Sequence, residues 1–148
     1  MSDLPPSQYA THAPPAPQSE ACSAVEQRAL RTLWWAIEQS PAALMITDAR
    51  GRVVYVNPRF SALSGFGRTE VLGLDCSDLE SPTADPAQHQ AWRSAMRAGT
   101  EWRGSLCHRR ADGNALHAMV ATAPVRDGKG AISHFVSIYA EAGDAPAH

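Results

Sequence analysis

Two runs of alternating residues flank Ala111-Asp112-Gly113-Asn114 in the stretch WRGSLCHRRADGNALHAMVATAPVRD, Trp102 to Asp127. An Asp-Gly pair between alternating runs is the strongest short-range hairpin signal, so the stretch predicts two long antiparallel strands. Side chains alternate along a strand. Trp102, Gly104, Leu106 and His108 therefore share one face, and Arg103, Ser105, Cys107 and Arg109 the other. A large aromatic, a gap beside it and an imidazole line one wall. That wall is either packed core or one side of a ligand pocket.

The rest of the chain supplies the elements that would cover it. Val25, Ala29, Leu30, Leu33, Trp34 and Ile37 recur at three- and four-residue spacing, which predicts an amphipathic helix over 24–39, ending before Pro41. Its stripe is more apolar than a solvated helix needs, so it either docks on a sheet or pairs with a second copy. Ala42–Asp48 and Arg52–Val56 read as strands joined by a turn through Gly51, a second hairpin. Asn57-Pro58 starts a short helix with Asn57 as cap, Phe60 and Leu63 facing inward. One further helical turn follows over Arg68–Leu72. Leu74–Ala84 lacks periodicity and is expected to wrap an edge of the domain. Asp85-Pro86 caps a helix that runs to about Ala98 and stops at Gly99, with Ala91, Trp92, Ala95 and Met96 inward. After the long hairpin, a turn at Asp127–Gly130 leads to a last strand from Ala131 to about Ala140. Two hairpins separated by helices cannot make a wound parallel sheet. The expected class is α+β: a five-stranded antiparallel sheet with short helices over one face, an N-terminal amphipathic helix, and the final strand beside the first pair.

Composition narrows the setting. Pro5, Pro6, Pro14, Pro15 and Pro17 lie among small polar residues, so residues 1–23 are expected to be a disordered tail, with a second short tail over 142–148. The chain has 148 residues and a formal net charge of -2, which gives no nucleic-acid-binding surface. Cys22, Cys76 and Cys107 are odd in number and widely spaced, against a disulfide framework or cysteine zinc site and in favour of a reducing cytoplasm. No apolar run spans a bilayer and no secretory signal is visible.

The order of elements, with SPAALMITDARGRVVYVNPRFSALSGFGRTEVLG (Ser40–Gly73), WRGSLCHRRADG (Trp102–Gly113) and APVRDGKGAISHFVSIYAE (Ala123–Glu141), resembles a PAS domain. That resemblance implies a sensory module that binds a small molecule or a partner and signals through flanking helices. The stretch W-x-G-x-x-x-H-R-R is similar to the FAD-binding PAS domains of nitrogen-fixation redox regulators and aerotaxis receptors, with His108 where those carry Asn. Separately, Gly73–Glu80 (GLDCSDLE) resembles the light-sensing LOV motif, in which the cysteine forms a photo-adduct with flavin.

The resemblance implies a flavin, FAD before FMN, and makes Trp102, His108, Asn57, Thr47, Leu106 and Cys76 the candidate cofactor-binding residues. Against photochemistry at Cys76, Ser77 stands where the LOV pattern has a phosphate-binding Arg, and Asp78 and Glu80 add like charge to a phosphate site. Ala118 and Tyr139 fall where amide side chains contact the ring in that pattern. Trp102 can cover an aromatic ring, and a neutral His108 offers one donor and one acceptor; otherwise both are core. Asn57 is accounted for by capping alone. His89, on the helix before the hairpin, lies where some PAS sensors ligate haem, but a lone His on a polar face more often meets solvent. No nucleophile–base arrangement or phosphate loop points to an enzyme. The expected partners are a second copy through the N-terminal helix and an unidentified signalling protein, a kinase or regulator.

Overall fold

The computed structural model describes residues Ser23–Ala142; the proline-rich segment 1–22, expected to be disordered, and the short tail 143–148 lie outside the described residues. In chain order the elements are α1 (Ala24–Glu38), β1 (Ala43–Asp48), β2 (Val53–Val56), α2 (Pro58–Ser64), α3 (Arg68–Val71), a 3-10 turn (Cys76–Leu79), α4 (Pro86–Ala98), β3 (Trp102–Arg109), β4 (Ala115–Arg126) and β5 (Ile132–Glu141).

The five strands form one antiparallel sheet in the order β2-β1-β5-β4-β3. The last strand lies between the two hairpins, running from Ala43↔Tyr139 to Asp48↔His134 against β1. Both hairpins form as expected, with Trp102↔Thr122 through Arg109↔Ala115 in the longer one. The inner face carries Met45, Leu106, His108, Leu116, Ala118, Val120, Thr122, Phe135, Ser137 and Tyr139, all buried. Alternation on β3 places Leu106 and His108 there, as the sequence pattern requires.

Local chemistry sets the helix ends. Pro86 opens α4 behind Asp85, whose carboxylate accepts from the Ala87 amide at 3.0 Å, and Gly99 ends it at φ 73°. Asn57 caps α2 by accepting from the Phe60 amide at 3.0 Å. The irregular stretch before α4 does wrap the sheet: Asp75 bridges to Arg52 beside β2, and Glu80 bridges to His108 on β3. It thereby covers parts of both edge strands, which would otherwise present unpaired backbone groups.

α1 behaves differently from the other helices. Ser23, placed in the tail by composition, is its N-cap in a reciprocal capping box with Glu26. Its last turn is tied down: Tyr55 and Arg68 both bond the Glu38 carboxylate, and the Asn57 amide donates to the Ile37 carbonyl at 3.0 Å. None of its residues is buried, and Leu33 and Trp35 are 59% and 53% exposed. Of the two expectations for its stripe, docking on its own sheet does not occur along most of its length. Among the described residues no helix is long and apolar enough to cross a membrane.

Candidate functional site

The inner wall of the sheet and α4 meet around one aromatic cluster. Trp92, in the middle of α4, points onto the sheet and is 0% exposed. Its indole N–H donates to the Thr122 hydroxyl at 2.9 Å, and Thr122 lies 2.7 Å from the Ser137 hydroxyl across β4 and β5. His108 is 2% exposed, with Nε2 2.9 Å from the Tyr139 hydroxyl. Ring centroids are 5.7 Å apart for Trp92 and His108, 5.2 Å for His108 and Tyr139, and 5.3 Å for Phe60 and Tyr139. These spacings are those of tilted and edge-to-face aromatic pairs in direct contact.

His89 joins the cluster from the first turns of α4. The sequence reading left it facing solvent; it is 0% exposed, its ring 5.6 Å from that of His108. Its Nε2 lies 3.1 Å from both the amide nitrogen and the carbonyl oxygen of Cys107, so it bonds one or the other of these backbone groups of edge strand β3 according to its tautomer. The helical face that meets the sheet is His89, Trp92 and Met96, a three- and four-residue spacing. Reading His89 as polar had rotated that face toward Ala91, which is exposed. Burial holds both imidazoles below their ordinary pKa; desolvation takes His108 down to about 3, with the neighbouring His89 acting in the same direction. Both are therefore neutral at pH 7.

The sequence-derived candidates separate into three groups. His108, Leu106 and Thr47 lie buried on inward-facing strand positions, and Cys76 reaches the same core from the 3-10 turn. Thr47 spends its hydroxyl on the Asp48 carbonyl at 2.9 Å. Trp102 does not stand as one side of an open slot. Its six-membered ring lies across Gly104, where a Cβ would fall 2.5 Å from Cζ2, so the W-x-G spacing houses the tryptophan itself. Asn57 is a structural hub: Oδ1 accepts from the Leu44 and Phe60 amides, and Nδ2 donates to the Ile37 and Ala42 carbonyls. With these bonds made, it has no polar group to offer a ligand. Burial, reinforced by Asp75, pushes the Cys76 thiol up to about 12, far from a reactive thiolate.

The flavin implied by the sequence resemblance can be tested against this wall. A planar ring needs roughly 3.5 Å of clearance on each face, so flanking groups must stand about 7 Å apart. No ring pair in the cluster leaves that gap. Trp92, His108, Tyr139 and Phe60 form a chain of contacting rings against the sheet, and Ala118 supplies no amide beside it. As folded, the ring cluster itself leaves no slot for the group. A cleft of about 430 Å3 adjoins this wall beside the start of α4, lined by His89 and the inward-facing Leu106 and Ala118 together with Asp85, Gln88 and His117.

The fold agrees with what the chain is similar to. The family model described as PAS domain matches residues 41–140. The nitrogen fixation regulatory protein of Klebsiella oxytoca is 27% identical over 103 residues, covering 69% of this chain and 21% of that protein. An RNA-binding light-oxygen-voltage receptor superposes with a TM-score of 0.71 at 28% identity, over 84% of this chain and 36% of its own. A light-oxygen-voltage domain studied with a flavin analogue superposes at 0.69 and 25% identity, over 76% of this chain and 86% of its own. The chain thus spans about a fifth of the length of the nitrogen-fixation regulator it matches. By sequence, fold and strand order together, it belongs to the PAS domain family.

Proposed function

We propose that this chain is a non-catalytic sensory PAS module that works without flavin and signals by altering how α1 associates with a second copy or a signalling partner. The self-filled wall is the observation that carries this reading. Trp92, His108, Tyr139 and Phe60 pack as a continuous chain of buried rings, so this part of the core is filled by the domain's own side chains. The light-oxygen-voltage neighbours imply a flavin, and the W-x-G-x-x-x-H-R-R stretch favours FAD and redox sensing. Seating either flavin would require that cluster to come apart.

The output surface follows from α1. Its last turn is fixed to β2, α2 and α3 through Glu38 and Asn57, while Leu33 and Trp35 remain exposed. A helix clamped at one end, with Leu33 and Trp35 uncovered, can report a change in the domain by changing its partner, a two-state element of the kind switches use. Light-scattering mass measurement on the whole chain tests this. A dimer for the natural sequence and a monomer for the double variant Leu33→Glu, Trp35→Glu are expected. A chain that is monomeric throughout, and captures no partner through α1, would remove the output reading.

A further inference from the structure

The cluster contains two buried nitrogens with no partner, Nδ1 of His89 and Nδ1 of His108. For His89 a partner stands just out of reach. The Glu80 carboxylate, on the segment bridging to β3, has its Oε1 3.7 Å from that nitrogen, beyond hydrogen-bonding distance. The same oxygen is held by Arg93 Nη1 at 2.9 Å, one helical turn along α4. A neutral imidazole carries one donor and one acceptor; in its Nε2–H tautomer it donates to the Cys107 carbonyl through Nε2 and leaves the Nδ1 lone pair idle. A protonated imidazole carries two donors. One would stay on the Cys107 carbonyl and the other would have Glu80 to bond.

We propose that His89, Glu80 and Arg93 form a proton-operated latch through which this module senses acidification. The proton comes from solvent and adds to the idle lone pair of Nδ1; no other bond is made or broken covalently. The resulting Nδ1–H draws the Glu80 carboxylate from Arg93 and closes the gap. The segment that wraps the edge of β3 thereby moves its tie to α4 from Arg93 to His89, on the face that carries Trp92. The charged and titratable groups around the latch include His117 of β4, which lines the same cleft as His89. On α4 these are Arg93, which competes for Glu80, and the capping residue Asp85. From β3, His108 lies 5.6 Å away and is held neutral by burial, and by like charge once His89 takes the proton. From β5, Tyr139 keeps its proton and bonds His108 rather than His89. The site is therefore built to take one proton.

This inference rests on the sensory reading above and names the signal. Its test reads the imidazole directly, independent of association or colour. Long-range proton–nitrogen correlation spectra of the 15N-labelled whole chain are recorded from about pH 7.5 to about pH 4.5. His89, assigned by loss of its signals in His89→Gln, should change from the neutral to the doubly protonated pattern while the backbone spectrum stays folded. Glu80→Gln should lower its midpoint by about one pH unit, and Arg93→Gln, which frees the carboxylate, should raise it. Both substitutions are at half-buried positions outside the core, so they keep the test open if His89→Gln does not fold. A His89 that stays neutral until the domain unfolds, or a midpoint that neither substitution moves, would overturn the latch. A titrating His89 with α1 association unchanged between about pH 7.5 and pH 5.5 would overturn its role as a sensor.

Discussion

Lowering the pH from 7 to 5 should cost this domain about 2 kcal/mol of stability through His108 alone. In the unfolded chain an imidazole takes its proton near 6.5, whereas burial in the folded domain holds His108 down to about 3. The unfolded state therefore binds the proton first as pH falls. For a base whose folded pKa is depressed, the contribution is fully present above 6.5 and is lost as pH drops below it, down to about 3. Each pH unit in that window is worth about 1.4 kcal/mol, and pH 5 lies about one and a half units into it. His89 is shifted the same way and adds to the loss until it takes its own proton. Carboxylates, unfolded near pH 4, contribute little between pH 7 and 5. With a urea slope of about 2 kcal/mol per molar, the midpoint should fall by about 1 M or slightly more. Equilibrium urea unfolding followed by circular dichroism at pH 7, 6 and 5 measures it, with His108→Gln as the control whose curve should be flatter. A midpoint constant over that range, or an equal fall in His108→Gln, would show that His108 is not held neutral in the folded wall.

Other substitutions probe separate parts of the account. Asn57→Ala should lower stability by about 2 to 4 kcal/mol, since it breaks bonds to α1, β1 and α2 together, and the loss should be visible in thermal melts. Unchanged melting would mean those bonds are not made. Gly104→Ala should cost about 1 to 3 kcal/mol and move the indole signal of Trp102, because the new methyl falls 2.5 Å from its ring; an unmoved indole signal refutes the placement. Cys76, with its thiol pushed up to about 12, should resist alkylation by iodoacetamide at pH 8 in the folded domain and react once it is unfolded in urea. Fast labelling in the folded state would place it at the surface.

Much of the fold was legible because its signals are local. Asp112-Gly113 between alternating strands, Asn57-Pro58 and Asp85-Pro86 each carry their own turn or cap chemistry, and the elements formed where they indicate. The placement of β5 beside β1 followed from the need to join two hairpins into one sheet. The wall was less legible. That Leu106 and His108 face inward is a matter of alternation, but whether that face looks onto a ligand or onto α4 depends on contacts between residues far apart in sequence. His89 shows the difficulty: on a helix wheel it is one polar residue, and only the β3 edge gives it backbone partners to bury against. Trp102 shows the reverse, since the gap at Gly104 suggested room for a ligand and is filled by the tryptophan two residues before it. Asn57 was recognised as a cap, but its bonds to Ile37 and Ala42 span distances that no local pattern reports.

The claim on which the account depends most is that the inner wall is complete without a flavin. Measuring flavin content tests it directly: the whole chain is unfolded, refolded with excess FAD or FMN, separated from free flavin, and its visible spectrum recorded before and after blue light and after dithionite. The account predicts a colourless protein with no band near 450 nm, and the same melting temperature with and without flavin. A band near 450 nm at about one flavin per chain would contradict it. Bleaching by light that is lost in Cys76→Ala would then identify a photoreceptor, and bleaching by dithionite alone a redox sensor.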